Sequence, residues 1–216
     1  MAKIKKTSIF LSIILVILLT ISATYYIGFY PKTEVIDINT SSNLNGFELL
    51  DRLSKNDLNL SSKEISLETS LTLSEEDLSS MFIGLIKDSN NKLSNLITGL
   101  KVDITENKLN VIFHLKYNGI PLEGHLVFNA SAINSKCVLH YDSGNIGFIN
   151  INKDLIFSKL RSNDVVTFDK TNGDIILSIS NIDNIKIKDI TVQDHNIIIT
   201  IKGSLTLDDL KKLKLN

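Results

Sequence analysis

The alternation of hydrophobic and polar positions changes period several times along the chain, and each change marks an element. Residues 7–31, TSIFLSIILVILLTISATYYIGFYP, carry no charge. About 20 apolar residues cross a bilayer core of roughly 30 Å as a helix, so this run predicts a transmembrane anchor. Residues 32–62 are rich in Asn, Ser and Asp and have little periodicity, the composition of a polar tether, except that Phe47, Leu50 and Leu53 are spaced as on a short helix. KEISLETSLTL then places Ile65, Leu67, Thr69, Leu71 and Leu73 on one side, the period of a strand.

Ser74 follows as a helix N-cap, with Glu75, Glu76 and Asp77 in the first turn, where carboxylates meet free N–H groups and the positive end of the helix dipole. Leu78, Met81, Phe82, Leu85 and Ile86 recur at i, i+3, i+4, i+7 and i+8, an apolar stripe facing a core. The spacing predicts a helix over 75–88, with Leu93, Leu96 and Ile97 adding a turn beyond the polar breakers. From Gly99 the pattern becomes β: LKVDI, KLNVIFHLKY, LEGHLVFNASA and KCVLHY succeed one another across short polar connections, as in a meander. Leu109, Val111, Phe113, Leu115 and Tyr117 share one face, and Leu122, Gly124, Leu126, Phe128, Ala130 and Ala132 share the matching face of the next strand. Centred on Gly119 and Ile120, the turn between them pairs Tyr117 with Leu122, Lys116 with Glu123 and His114 with His125.

SGNIGFININ leads into NKDLIFSKL, a short helix that Asn152 caps, with Leu155, Ile156 and Leu160 inward. In VVTFDKTNGDIILSIS, Asn172 and Gly173 supply the positive φ angles of a tight hairpin. The closing stretch IKIKDITVQDHNIIITIKGSL repeats an earlier pattern: Val102, Ile104, Leu109, Val111 and Phe113 return 88 positions later as Ile190, Val192, Ile197, Ile199 and Ile201. The organisation expected is a tail at 1–6, an anchor at 7–31, a tether at 32–62, an α+β domain at 63–205 and a C-terminal tail at 206–216. The fold expected is a curved antiparallel meander sheet, packed with one main amphipathic helix and a second short one.

Charge sets the orientation. Lys3, Lys5 and Lys6 precede the apolar run, and positive charge stays on the cytoplasmic side, so the domain is expected outside, on a single-pass protein of the cell membrane. A cleaved signal peptide shares this layout, but its apolar stretch is usually about 7–15 residues and ends at an A-x-A-like site. Tyr25, Tyr26, Phe29 and Tyr30 cluster at the outer end, where amphipathic rings favour the headgroup level. After the tail, 20 basic residues face 24 acidic ones, which argues against a nucleic-acid partner, whose phosphates call for a concentrated basic face. Cys137 is the only cysteine, so no intramolecular disulfide forms, and its alternation with Leu139 and Tyr141 reads as a small buried hydrophobe.

Chemistry is sparse. The chain has no G-x-S-x-G, no H-E-x-x-H and no D-x-[DN]-x-[DN]-G loop, so a non-enzymatic protein without cofactor or metal is expected. His114 and His125 share a face with Asn110, Lys116, Glu123 and Asn129. A metal needs at least three convergent ligands, and the bland reading is a solvated sheet face with a Lys116–Glu123 ion pair.

The order of parts, from anchor and tether through the SEED helix and the SGNIGFIN segment to DITVQDHNIIITIKG, resembles the YpmS-like family of membrane-anchored extracytoplasmic proteins of Gram-positive bacteria. Gly124, Gly144 and VTFDKTNGDIILSISN carry the local likeness. The resemblance covers roughly residues 1–205. It implies a curved sheet with a helix laid against it, and it brings no catalytic residues. An alternating apolar face is ordinarily closed core. Tethered near a bilayer, the same face can stay open for an acyl chain, with Phe113, Leu115, Tyr117, Leu122, Gly124, Leu126, Phe128, Met81 and Phe82 as the candidate lipid-binding residues. The rival expectation is an interaction module for an envelope or wall-synthesis protein partner.

Overall fold

The computed structural model describes residues 2–39, 58–60, 64–88, 95–158, 160, 162, 166–177 and 185–206. Helix α1 (Ala2–Gly28) contains the apolar stretch Thr7–Gly28, with mean hydropathy 2.3. Its 22 residues extend roughly 33 Å at the α-helical rise, long and apolar enough to cross a membrane. The chain then forms β1 (Ile36–Asp37), β2 (Leu58–Leu60), β3 (Glu64–Ser74) and α2 (Glu75–Asp88). A β-rich part follows: β4 (Ile97–Thr105), β5 (Lys108–Tyr117), β6 (Ile120–Ile133), β7 (Lys136–Ile146) and β8 (Ile149–Asn150). After α3 (Lys153–Phe157) come β9 (Val166–Asp169), β10 (Asp174–Leu177), β11 (Ile185–Gln193) and β12 (Asn196–Thr206).

The architecture is α+β, and among the described residues every strand pair is antiparallel. The meander β4-β5-β6-β7 makes up most of an eight-stranded sheet, flanked by β1 on one side and by β10 and β9 on the other, with β8 folded back on β7. The closing hairpin does not extend this meander. It pairs with β3 and β2 in a second sheet of order β11-β12-β3-β2, and α2, leaving β3 directly, packs between the two. Ile36–Asp37, within the stretch expected to be tether, adds a short strand at Gly99–Leu100. The stripe Phe47, Leu50 and Leu53 lies outside the described residues.

Local chemistry accounts for the element ends. Ser74 Oγ accepts from the Asp77 amide at 3.2 Å, and the Asp77 carboxylate accepts from the Ser74 amide and hydroxyl at 3.0 and 2.8 Å, a capping box that starts α2. Among the described residues, four two-residue turns carry positive φ at both positions: Glu106–Asn107, Asn118–Gly119, Asn134–Ser135 and Asp194–His195. This backbone matches the right-handed twist of the strands it joins. The two hairpins 88 positions apart share turn and register, with Val102 opposite Val111 and Ile190 opposite Ile199.

Several expectations are corrected. Ile97 begins β4 and does not prolong the helix. The β9–β10 connection is a four-residue loop in which Gly173 alone takes positive φ, because Asp169 binds the amides of Thr171 and Asn172 and holds Asn172 in the right-handed half. In α3, Asn152 caps as expected, but Phe157 is the buried residue and Leu155 is exposed. The β5–β6 turn uses Asn118–Gly119 because these are the residues that tolerate positive φ. Tyr117 therefore faces Ile120, Lys116 faces Pro121, and His114 faces Glu123.

Candidate functional site

The core does not close completely. Between α2 and the large sheet lies a cavity of about 170 Å³ whose lining side chains are all apolar. Phe82, Leu85 and Ile86 of α2 form one wall, and Leu100, Val111, Phe113, Leu115, Leu126 and Phe128 form the sheet wall. Ile146, Ile151, Leu155, Ile156 and Leu160, from the end of β7 through α3, form the third side. A water needs two to four polar partners to settle in such a space, and this lining offers none, so the cavity is dry or holds something apolar.

Two features keep it open. Gly124 faces Phe113 across the β5–β6 ladder, and a Cβ placed there would meet the Phe113 ring at 2.3 Å; the absence of that carbon lets the ring lie over β6. On β7 the register slips between Val127 and Phe128, so that Val127 pairs with Ser143 and Phe128 with Tyr141. Such a bulge bends and twists the strand. It also starts a run of edge-packed rings, Phe128 to Tyr141 to Phe157 to Phe168, with centroids 5.9, 6.4 and 6.4 Å apart, which ties α3 to the sheet. The Tyr141 hydroxyl donates to the Ile151 carbonyl at 2.6 Å and fixes the segment leading into α3.

Of the sequence candidates, the structure brings Phe82, Phe113, Leu115, Leu126 and Phe128 together on the cavity wall. Gly124 acts on it through Phe113. Met81 lies instead on a neighbouring void of about 30 Å³ toward the second sheet, beside Leu73 and Cys137. Leu122 packs half-buried against the core, and Tyr117 is exposed at the hairpin tip. Leu85 and Ile86 belong to the same helical stripe as Phe82 and were within reach of the sequence. Ile156 and Leu160 are inward positions of the NKDLIFSKL pattern and were likewise within reach, whereas Ile146, the last residue of β7, and Ile151, between β8 and α3, fall outside the periods the sequence showed. Cys137 is buried, and burial pushes its thiol up to about 12.

The opposite face of β5–β6 is only partly solvated: the His125 side chain is 40% exposed and Lys116 is exposed, but the centre of the face is covered. Glu123 is 13% exposed at its side chain and does not pair with Lys116. Its Oε2 accepts from the backbone amides of Lys32 and Thr33 at 2.8 and 2.9 Å and lies 3.3 Å from His114 Nε2, while Oε1 lies 3.1 Å from His125 Nε2. Burial works against the charge, but the Thr33 and Lys32 amides and the His125 and His114 rings outweigh it and hold the carboxyl down at about 2. Glu123 thus fastens the chain leaving α1 to the sheet. The Glu123 amide donates to the Phe29 carbonyl at 2.9 Å, the Tyr25 hydroxyl donates to the Pro121 carbonyl at 2.7 Å, and the Phe29 and Phe148 rings meet edge to face. Among the described residues, no three His, Cys, Asp or Glu side chains are placed to hold a metal ion. Comparison with protein-family models, with curated proteins and with solved structures finds no match.

Proposed function

We propose that the chain is a single-pass, non-enzymatic membrane protein whose extracytoplasmic domain takes an acyl segment of a lipid or lipid-linked molecule into the cavity between α2 and the large sheet. The all-apolar lining of that cavity carries the reading. Its size sets what enters. A comparable dry cavity of about 150 Å³ takes one benzene ring, so this one holds a stretch of about six carbons and not a whole lipid; the headgroup stays outside. The layout shared with YpmS-like proteins, the cytoplasmic tail lysines and the docking of Tyr25 and Phe29 onto the sheet support an uncleaved anchor with the domain outside.

Native mass spectrometry of the full chain, released from detergent, tests the reading with Val111→Phe as control. Wild type is expected to carry a lipid adduct that the variant loses. Because the new ring enters open space, the variant should unfold within about 1 kcal/mol of wild type, whereas overpacking a closed core typically costs about 1–3 kcal/mol. A bare wild-type chain, or a single protein partner in place of lipid, would favour an interaction module.

A further inference from the structure

We infer that the end of the outer domain nearest α1 is itself a membrane-binding surface, seated in the headgroup layer, and that the cavity opens there into the lipid leaflet. The inference rests on α1 being a membrane span.

The depth follows from contacts with α1. The β5–β6 tip reaches back along the helix to Tyr25, whose hydroxyl binds Pro121 at 2.7 Å. The β7–β8 turn reaches as far: Phe148 lies against Gly28 and borders one concavity with Leu19, Thr20, Ala23, Thr24 and Ile27 of α1. Gly147, at φ 55°, permits this approach, since a Cβ there would meet the Phe29 ring and the Gly28 carbonyl oxygen at 2.4 and 2.5 Å. Both turns therefore sit beside the last two turns of the span, at the level of the hydrocarbon boundary.

What these turns expose suits that depth. Tyr117 and Ile120 are 57% and 50% exposed, and Phe148 and Ile149 are 67% and 62% exposed. Together with Tyr26 and Tyr30, which stack at 5.5 Å, they form an apolar and aromatic rim of the kind that settles at the membrane interface. Lys32, whose Nζ lies 5.9 Å from the centre of the Tyr26 ring, places a cation at the phosphate level.

The cavity is inferred to open on this side, because one of its wall residues is paired with the rim. Ile149 pairs with Ile146, which lines the cavity, and the Ile151 amide donates to the Gly144 carbonyl at 2.8 Å. Leu155, four residues on, lines the cavity while 60% exposed. An acyl chain can therefore enter from the leaflet without crossing water, which fits a cavity that holds only part of a chain.

The chain contains no tryptophan, so a single introduced indole reports its own depth. Phe148→Trp, Ile120→Trp and Ile133→Trp replace exposed residues; the last marks the far end of β6, roughly 40 Å along the strand from the tip. Each full-length variant is placed in nanodiscs of phosphatidylglycerol and phosphatidylcholine, with or without bromine on the acyl chains near the headgroup. The inference expects blue-shifted emission that brominated lipid quenches at positions 148 and 120, and unquenched, red-shifted emission at 133. Unquenched emission at 148 and 120, or equal quenching at 133, overturns it. A lipid adduct in native mass spectrometry without rim quenching leaves the cavity reading standing and removes this one; rim quenching without an adduct leaves the membrane seating standing and removes the cavity reading together with the opening into the leaflet.

Discussion

Gly124 and Glu123 are neighbours in sequence on opposite faces of one strand, and each governs a different half of the molecule. Adding a methyl at Gly124 drives it to within 2.3 Å of the Phe113 ring, and the ring's free direction is the cavity. Gly124→Ala should cost about 1–3 kcal/mol, as overpacking does, and should weaken the lipid adduct that the proposal expects in native mass spectrometry. On the other face, Glu123→Gln replaces a carboxylate that two amides and two imidazoles surround; hydrogen bonds to charged groups contribute about 1.5–3 kcal/mol, and a loss near 2 kcal/mol is expected in denaturant unfolding of the full chain. The pH dependence has a definite sign. Because the folded carboxyl is held at about 2, below its ordinary range, its contribution is complete above roughly pH 5 and disappears as pH falls toward 2. Acid should release the Lys32–Thr33 segment, seen as faster amide exchange there in wild type once the intrinsic pH dependence is subtracted, and Glu123→Gln should already exchange fast at pH 7.

At the scale of elements, α2 does more than fill the core. β4 pairs β1 only at Gly99–Leu100, so its amides beyond need partners: Ser79 Oγ accepts from Val102 at 2.7 Å, and Glu75 Oε1 accepts from Ile104 at 2.7 Å. The helix thereby closes a sheet edge that otherwise invites another strand. Ser79→Ala leaves the buried Val102 amide unpaired and should cost about 1–3 kcal/mol, measurable as a lowered unfolding midpoint. The helix itself was legible in the 75–88 stripe, as were the meander strands, because a half-buried surface imposes its period on the sequence. The β5–β6 register was not: Asn118–Gly119 and Gly119–Ile120 both contain a glycine, and choosing the first moves His114 from His125 to Glu123. Nor was the partner of Glu123 legible, since the Lys32 and Thr33 amides lie about 90 positions away and backbone donors leave no residue-type signature. The split into two sheets was equally hidden, because strand alternation records which face is buried and not which strand is the neighbour.

For the whole molecule, if the cavity takes an acyl segment as proposed, the energetics favour exchange over tight storage. Removing a methylene from water is worth about 0.8 kcal/mol, but an acyl chain in a leaflet is already out of water, so little of that gain remains when it moves into the cavity. Discrimination then falls to packing against Phe82, Phe113 and Phe128 and to the part of the lipid left at the rim. The most direct measurement is photo-crosslinking of the full chain in vesicles containing a phospholipid with a diazirine near the end of its acyl chain, followed by peptide mapping. The account expects adducts in peptides bearing Phe82, Val111 and Phe128, inside the domain, in addition to those on α1, and expects Val111→Phe to abolish the interior set alone. Adducts confined to α1, with the interior peptides unlabelled in wild type, would contradict it.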